Sequence, residues 1–364
     1  MQIRDLLRFL DRLAPRSYQE SYDNSGLLVG SLAAEIAGVL VCLDSLETVI
    51  DEAISLGCNV VLAHHPIIFG GLKSLTGRNY VERTVLKAIK NDIAIVAIHT
   101  NLDNMQTGVN ARICAKIGLQ NCHILAPKRG IIKQLSTYAP VLEAEKVRAA
   151  LFAAGAGVMG NYSKTSFNTL GTGTFMGNDA SNGFVGEPNK LHREAEIKIE
   201  MIFEAHQENA VLKALHAAHP YEEVAYNVLS LGNLHKGIGA GMIGELATPL
   251  SEVDFMQLLK NQMNVSCVRH TTLLGKPIKK VAVCGGSGSF LLRNAIGSGA
   301  DAFVTADFKY HEFFDAEQHL LIADIGHYES EQFTIDLLAE SLEAEFSTLK
   351  VLKTSINTNS THYF

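Results

Sequence analysis

The 364-residue sequence predicts an α/β core interrupted by a second, smaller α/β sandwich. Three observations predict it. The first third alternates short apolar runs with helical periodicity, the pattern of a mostly parallel sheet covered by helices. The last third repeats that pattern. The middle has a different order, strand–helix–strand–strand–helix–strand.

In the first third the strands are 38–43 (GVLVCL), 59–63 (NVVLA) and 93–98 (IAIVAI), with amphipathic helices near 45–56 and 80–91. In the last third they are 280–284 (KVAVC), 302–305 (AFVT) and 319–323 (HLLIA). Such near-continuous apolar runs imply strands buried on both faces. The middle begins with a strand at 133–140 and a helix at 144–154. Strands 164–175 and 194–205 follow, joined by a Gly/Asn-rich loop, then a helix at 208–218, Pro220 and a strand at 224–231. This βαββαβ order is that of a ferredoxin-like sandwich. The expected domains are a core of 1–127 with 234–364, and an inserted domain of 128–233. Insertion is tolerated where the host's entry and exit points lie close together.

Composition excludes several classes of function. Hydrophobic residues make up 47% and charged residues 19%, which is ample material for buried cores. Lys+Arg 31 against Asp+Glu 38 gives a net charge of −7, so no broad nucleic-acid-binding face is expected. The N-terminal MQIRDLLRFLDRLAP reads as an amphipathic helix and not as a signal peptide. No apolar run is long enough to span a bilayer, so no membrane partner is expected. The six cysteines are scattered without a CxxC pair, which argues against a disulfide scaffold or a thiolate zinc site. A cytoplasmic protein is expected. Its 14 histidines are the first place to look for chemistry.

Ligands of open α/β sheets bind beyond the carboxyl ends of the strands. After NVVLA come His64, His65 and Pro66; after IAIVAI come His99 to Asp103; after HLLIA come Asp324, Gly326, His327 and Glu331. His327 and Glu331 stand at i and i+4, on one helix face. Imidazoles and carboxylates without thiolates suit a hydrolytic site for zinc, manganese or iron. Five ligands exceed the need of one tetrahedral ion, whereas two divalent ions about 3.5–4 Å apart use them all. Glu331 is the candidate bridge, and His64 and His65 divide between the ions.

Each signal also has a structural reading. His-His-Pro can be a strand stop, and a His/Glu pair at i,i+4 can be surface helix chemistry. Three clusters at three strand ends together favour the metal. Cys284–Ser289 (CGGSGS) can cradle a phosphate or make a tight turn. The Gly-rich stretch 172–186 suits a flexible hairpin loop. Asp307, Lys309, Tyr310 and His311 can orient ligands or cap a helix, and Asp44 can hold a ligand imidazole or start one.

The segments YDNSGLLVG (22–30), AHHPIIF (63–69), HTNLDN (99–104) and GHYESE (326–331), supported by CGGSGS and TADFKYHEF, resemble the Nif-three-like family. Its bacterial members are commonly labelled GTP cyclohydrolase I type 2 homologues. The resemblance covers nearly the whole chain. It implies a two-lobed α/β core with an inserted CutA/PII-like domain, to which EKVRAALFAAGAGVMG and HPYEEVAYNV are similar. It also implies a dinuclear metal centre held by His64, His65, Asp103, His327 and Glu331, and a toroidal homohexamer. In two departures from the family's pattern, Tyr22 replaces a usual Trp, and Ala306 replaces a Gly before Asp307.

The implied function is a dinuclear-metal hydrolase acting on GTP or a related nucleotide through a metal-bridging hydroxide, with ring opening and formate release. His311 or His99 would shuttle the proton. The alternatives are a metal-dependent nucleotide phosphoester hydrolase and a non-catalytic metal-binding regulatory scaffold.

Overall fold

The β-branched runs Val39–Cys42, Val60–Ala63 and Ala94–Ala97 form neighbouring parallel strands in which every residue is buried. A computed structural model describes them within residues 1–364, which divide into two units. One unit is Met1–Pro127 with Lys236–Phe364, and the other is Lys128–His235.

The larger unit has two sheets. The first adds the antiparallel edge strand Gly26–Val29 beside Ala94–Ala97 and, at its other edge, the late strand Val351–Lys353 beside Val39–Cys42. The second sheet has Ile278–Ser287, Ala302–Ala306 and Leu321–Asp324 in parallel. The antiparallel strands Gly239–Leu250 and Leu119–Pro127 extend it on one side and Arg269–His270 on the other. One apolar cluster joins inward-facing residues of both sheets, including Val39, Val41, Val60, Leu62, Val281, Val283 and Val304. Separate clusters cover the opposite faces. The ends of the parallel strands of both sheets therefore open on one shared crevice.

Leu119–Pro127 and Gly239–Leu250 lie outside the strands expected from sequence. The second is interrupted by glycines, because neighbouring strands approach too closely for side chains. A Cβ at Gly239 would lie 2.3 Å from the Ala126 carbonyl oxygen. Backbone proximity has erased the alternation that marks a strand.

The smaller unit is a four-stranded antiparallel sheet in the order Phe167–Phe175, His192–Glu204, Ile132–Pro140, Tyr226–Ser230. Helices Ala144–Ala153 and Glu208–Ala218 cover one face. Val147 and Leu151, and Val211 and Leu215, are i,i+4 pairs that meet Ile199, Met201 and Phe203 in the core. Residues 196, 198 and 200 alternate onto the other face, away from the helices. No helix of the chain is long and apolar enough to cross a membrane.

Candidate metal centre

Four imidazoles and two carboxylates converge at the crevice of the larger unit. His64 and His65 follow Val60–Ala63, His99 and Asp103 follow Ala94–Ala97, and His327 and Glu331 bound the short helix His327–Glu331. That helix stops one turn on, before Thr334–Glu345 begins, and the single turn suffices to aim both of its ends inward. Three ligand groups have their atoms within 4.8 Å of one another: His64, Asp103 and Glu331; His65, His327 and Glu331; and His64, His65 and His99. Glu331 belongs to the first two. Its Oε2 lies 2.9 Å from His65 Nε2 and 3.1 Å from His327 Nε2, whereas Oε1 faces His64 Nε2 at 3.9 Å.

Each imidazole is anchored by its far nitrogen. Nδ1 of His65 is 2.8 Å from Asp44 Oδ1, Nδ1 of His327 is 2.6 Å from Asp307 Oδ2, and Nδ1 of His99 is 2.8 Å from Asp23 Oδ1. His64 donates from Nδ1 to the Ile98 carbonyl at 2.9 Å. Holding Nδ1 in this way fixes the ring and turns Nε2 towards the centre, the arrangement that orients metal-binding histidines.

The electrostatics follow from this packing. Burial holds the His64 imidazole down to about 4, so it is neutral and keeps a lone pair on Nε2. Burial also opposes charge on His65 and His327, but hydrogen bonds with Asp44, Asp307 and Glu331 outweigh it. They raise His65 to about 10 and His327 to about 11. Burial acts on Glu331 too, yet His327 and its neighbours hold that carboxyl well below its ordinary range. Asp103 goes the other way, since burial and the nearby Glu331 charge push it up.

Two buried atoms in this cluster have no hydrogen-bond partner, His64 Nε2 and Asp103 Oδ1, and they stand 3.5 Å apart. Leaving such a group unsatisfied costs about 1–3 kcal/mol. A shared divalent cation satisfies both, and oxygen and imidazole donors without thiolate suit zinc, iron or manganese. The residues present therefore fit a metal.

The glycine loop after Ile278–Ser287 serves this cluster. Gly286 has φ +62°, and a Cβ there would lie 2.5 Å from Glu331 Oε1 and 3.2 Å from His327 Cε1. The Gly285 amide donates to Asn110 Oδ1 and the Gly286 amide to Ser330 Oγ, both at 2.9 Å. With those amides engaged, close approach by Glu331 explains the glycines better than a phosphate cradle does. The turn after Ala306 is made by Asp307 itself, at φ +58°, a region that Asp tolerates. A Gly at 306 is thus not needed to bring Asp307 to His327.

His311 is not brought to the cleft. A 3-10 helix, Tyr310–Ala316, leaves it exposed, with its ring against those of Tyr310 and Phe314. His99 does line the cleft. Sequence reasoning missed Asp23, which lies in YDNSGLLVG and also accepts from the Thr100 amide at 2.9 Å. It also missed the C-terminal segment: Thr358 Oγ1 donates to Asp44 Oδ2 at 2.7 Å, and Asn359 Nδ2 donates to Glu329 Oε1 at 2.9 Å. No local pattern there marks a site.

The cleft has a volume of about 860 Å³. Tyr22, Phe69, Tyr80 and Phe290 line it and are largely exposed. Arg269 is the only lysine or arginine in the lining, and its guanidinium is 3.0 Å from Asp324 Oδ2.

Fold and site together define an α/β protein whose larger unit carries a histidine–carboxylate centre at the ends of the parallel strands of its two sheets. The profile of the Duf34/NIF3 (NGG1p interacting factor 3) family matches residues 1–360. The chain is 40% identical over 324 residues to the GTP cyclohydrolase 1 type 2 homolog of Halalkalibacterium halodurans, covering 88% of this chain and 87% of that one. It is 37% identical over 325 residues to the Bacillus subtilis protein of the same name, covering 89% and 87%. The crystal structure of a Bacillus cereus protein related to NIF3 superposes with a TM-score of 0.85 at 36% identity, over 100% of this chain and 99% of that one. The chain belongs to the Duf34/NIF3 family.

Proposed function

We propose that the protein is a metal-dependent hydrolase of a nucleotide-like small molecule, with two divalent ions per chain. The observation that carries this reading is Glu331, whose two oxygens face two separate ligand groups. His64 and Asp103 would hold one ion, His65 and His327 the other, and Glu331 both. When bound, such a pair supplies a water acidified enough to act as nucleophile near neutral pH.

The chain's own residues do the rest. The Asp44–His65 and Asp307–His327 pairs keep the ligand nitrogens aimed. His99, steadied by Asp23, is within the cleft and moves a proton to or from the substrate. The exposed aromatic side chains at the lining offer faces on which a planar base stacks.

The name of the curated relatives makes GTP the first substrate to try, with imidazole-ring opening and formate release. One observation favours the second reading, a phosphoester hydrolase. The lining's single guanidinium is already paired with Asp324, so a polyphosphate would find its positive charge only at the ions. The experiment is turnover of metal-loaded protein against a panel of nucleoside mono-, di- and triphosphates, with formate and phosphate assayed separately. Formate from GTP establishes the first reading, and phosphate without formate the second. Release of neither from any nucleotide contradicts both.

A further inference from the structure

The smaller unit contains a cavity of about 730 Å³ between the helix-free face of its sheet and the loop joining Phe167–Phe175 to His192–Glu204. This volume lies in the range of small-molecule sites. The cavity shares no residue with the metal centre and depends on nothing proposed for it.

Its walls are apolar and aromatic. Phe175, Phe184 and Tyr221 line it, with ring centroids 5.9 Å apart for Phe175 and Tyr221 and 6.4 Å for Phe184 and Tyr221. On the strand face lies one carboxylate, Glu196, only 8% exposed. Tyr221 donates its hydroxyl to Glu196 Oε1 at 2.8 Å, and Oε2 receives no hydrogen bond. The Gly-rich strand sequence makes room for this carboxylate, since a Cβ at Gly173 would lie 2.2 Å from Oε2.

No cation of the chain pairs with Glu196. The nearby Lys198 pairs with Glu200 at 2.8 Å, Lys190 with Glu187, and His192 with Glu194 at 2.9 Å. Glu222 and Glu223 add further negative charge to the lining. Tyr221 cannot offset that charge: burial and the Glu196 carboxylate push its phenol pKa above the ordinary value, so it stays a neutral donor. The unpaired oxygen is open to the cavity, where an ammonium entering from solvent can reach it and make a charge-assisted hydrogen bond.

We propose that this cavity binds a small arylalkyl ammonium compound. Its ammonium donates to Glu196 Oε2 and its apolar body packs among Phe175, Phe184 and Tyr221. A single free carboxylate oxygen suits a compact ammonium better than a guanidinium, which binds carboxylates in bidentate fashion. The surrounding rings add cation–π attraction and apolar burial.

The test is calorimetric titration of the full-length protein with phenethylamine and tryptamine, using 2-phenylethanol as the neutral counterpart. Both amines should bind at sub-millimolar to millimolar concentration. Glu196→Gln should weaken them roughly ten- to a hundredfold, and the alcohol should bind wild type more weakly by a similar factor. Phe184→Ala, in an exposed loop, should also weaken the amines while thermal unfolding is unchanged, which separates lost contact from misfolding. The proposal is overturned if neither amine binds at millimolar concentration. It is equally overturned if the alcohol binds as tightly, or if a folded Glu196→Gln variant binds the amines as wild type does.

Discussion

Glu331 Oε2 lies 2.9 Å from His65 Nε2, although 266 positions separate the two residues in the chain. The same oxygen reaches His327, while the other turns to His64. A carboxylate shared in this way ties the two sheets of the larger unit together at their strand ends. It also places negative charge among imidazoles whose protonation then becomes part of metal binding.

The first prediction concerns protons. His65 is raised to about 10 and His327 to about 11, against about 6.5 in an unfolded chain. Their contribution to the stability of the metal-free protein is therefore complete below about pH 6.5 and disappears as pH rises through 10 to 11. Metal-free protein should lose thermal stability steadily from neutral to alkaline pH. Ligation needs both Nε2 lone pairs, so metal uptake at pH 7 should release protons and strengthen as pH rises. Calorimetry in buffers of different ionisation enthalpy measures the release. Uptake without proton release would show that these histidines are not ligands.

The second concerns Gly286. Gly286→Ala would set a methyl 2.5 Å from Glu331 Oε1 in a backbone conformation with φ +62°. The strain alone costs about 1–2 kcal/mol. Displacing Glu331 should in addition lower metal occupancy. Gly299→Ala is the control: its φ is +72° with no atom within 4 Å, so it carries the strain without the clash. Metal content should fall in the first variant and stay at the wild-type level in the second. Equal metal content in both would remove the role assigned to the glycine loop.

The third concerns the smaller unit. Pro127 and Gly239 are partners in an antiparallel ladder, so the chain leaves and re-enters the larger unit at neighbouring points. A short hairpin turn joining Pro127 to Lys236 should replace Lys128–His235 without breaking that ladder. The shortened protein should fold and bind as much metal per chain as wild type. Loss of metal from a folded deletion would contradict the independence of the two units.

Much of this was legible in the sequence because buried parallel strands are written as unbroken apolar runs. VLVC, VVLA, AIVA and LLIA needed no partner to be recognised, and the residues after the last three were the metal candidates read from the sequence. The helix Glu208–Ala218 was legible from its periodicity. Two kinds of feature were not. Gly239–Leu250 lost its strand signature to backbone proximity, which only the paired strands reveal. Asp23 lies in the motif YDNSGLLVG, but its contact with His99 exists only in the folded chain, and Thr358, which reaches Asp44, has no local pattern. His311 lies apart from the cleft in this chain. It sits in a motif beside Asp307, but a 3-10 turn carries it to the surface.

The most direct measurement of the central claim is metal stoichiometry per chain for wild type, Glu331→Gln and His327→Ala across a range of metal concentrations. Glutamine keeps the shape of Glu331 but removes the charge that offsets two nearby cations. Wild type should approach two ions, Glu331→Gln should fail to hold the pair, and His327→Ala should weaken mainly one. A wild-type plateau at a single ion, undiminished in Glu331→Gln, would contradict a dinuclear centre bridged by Glu331.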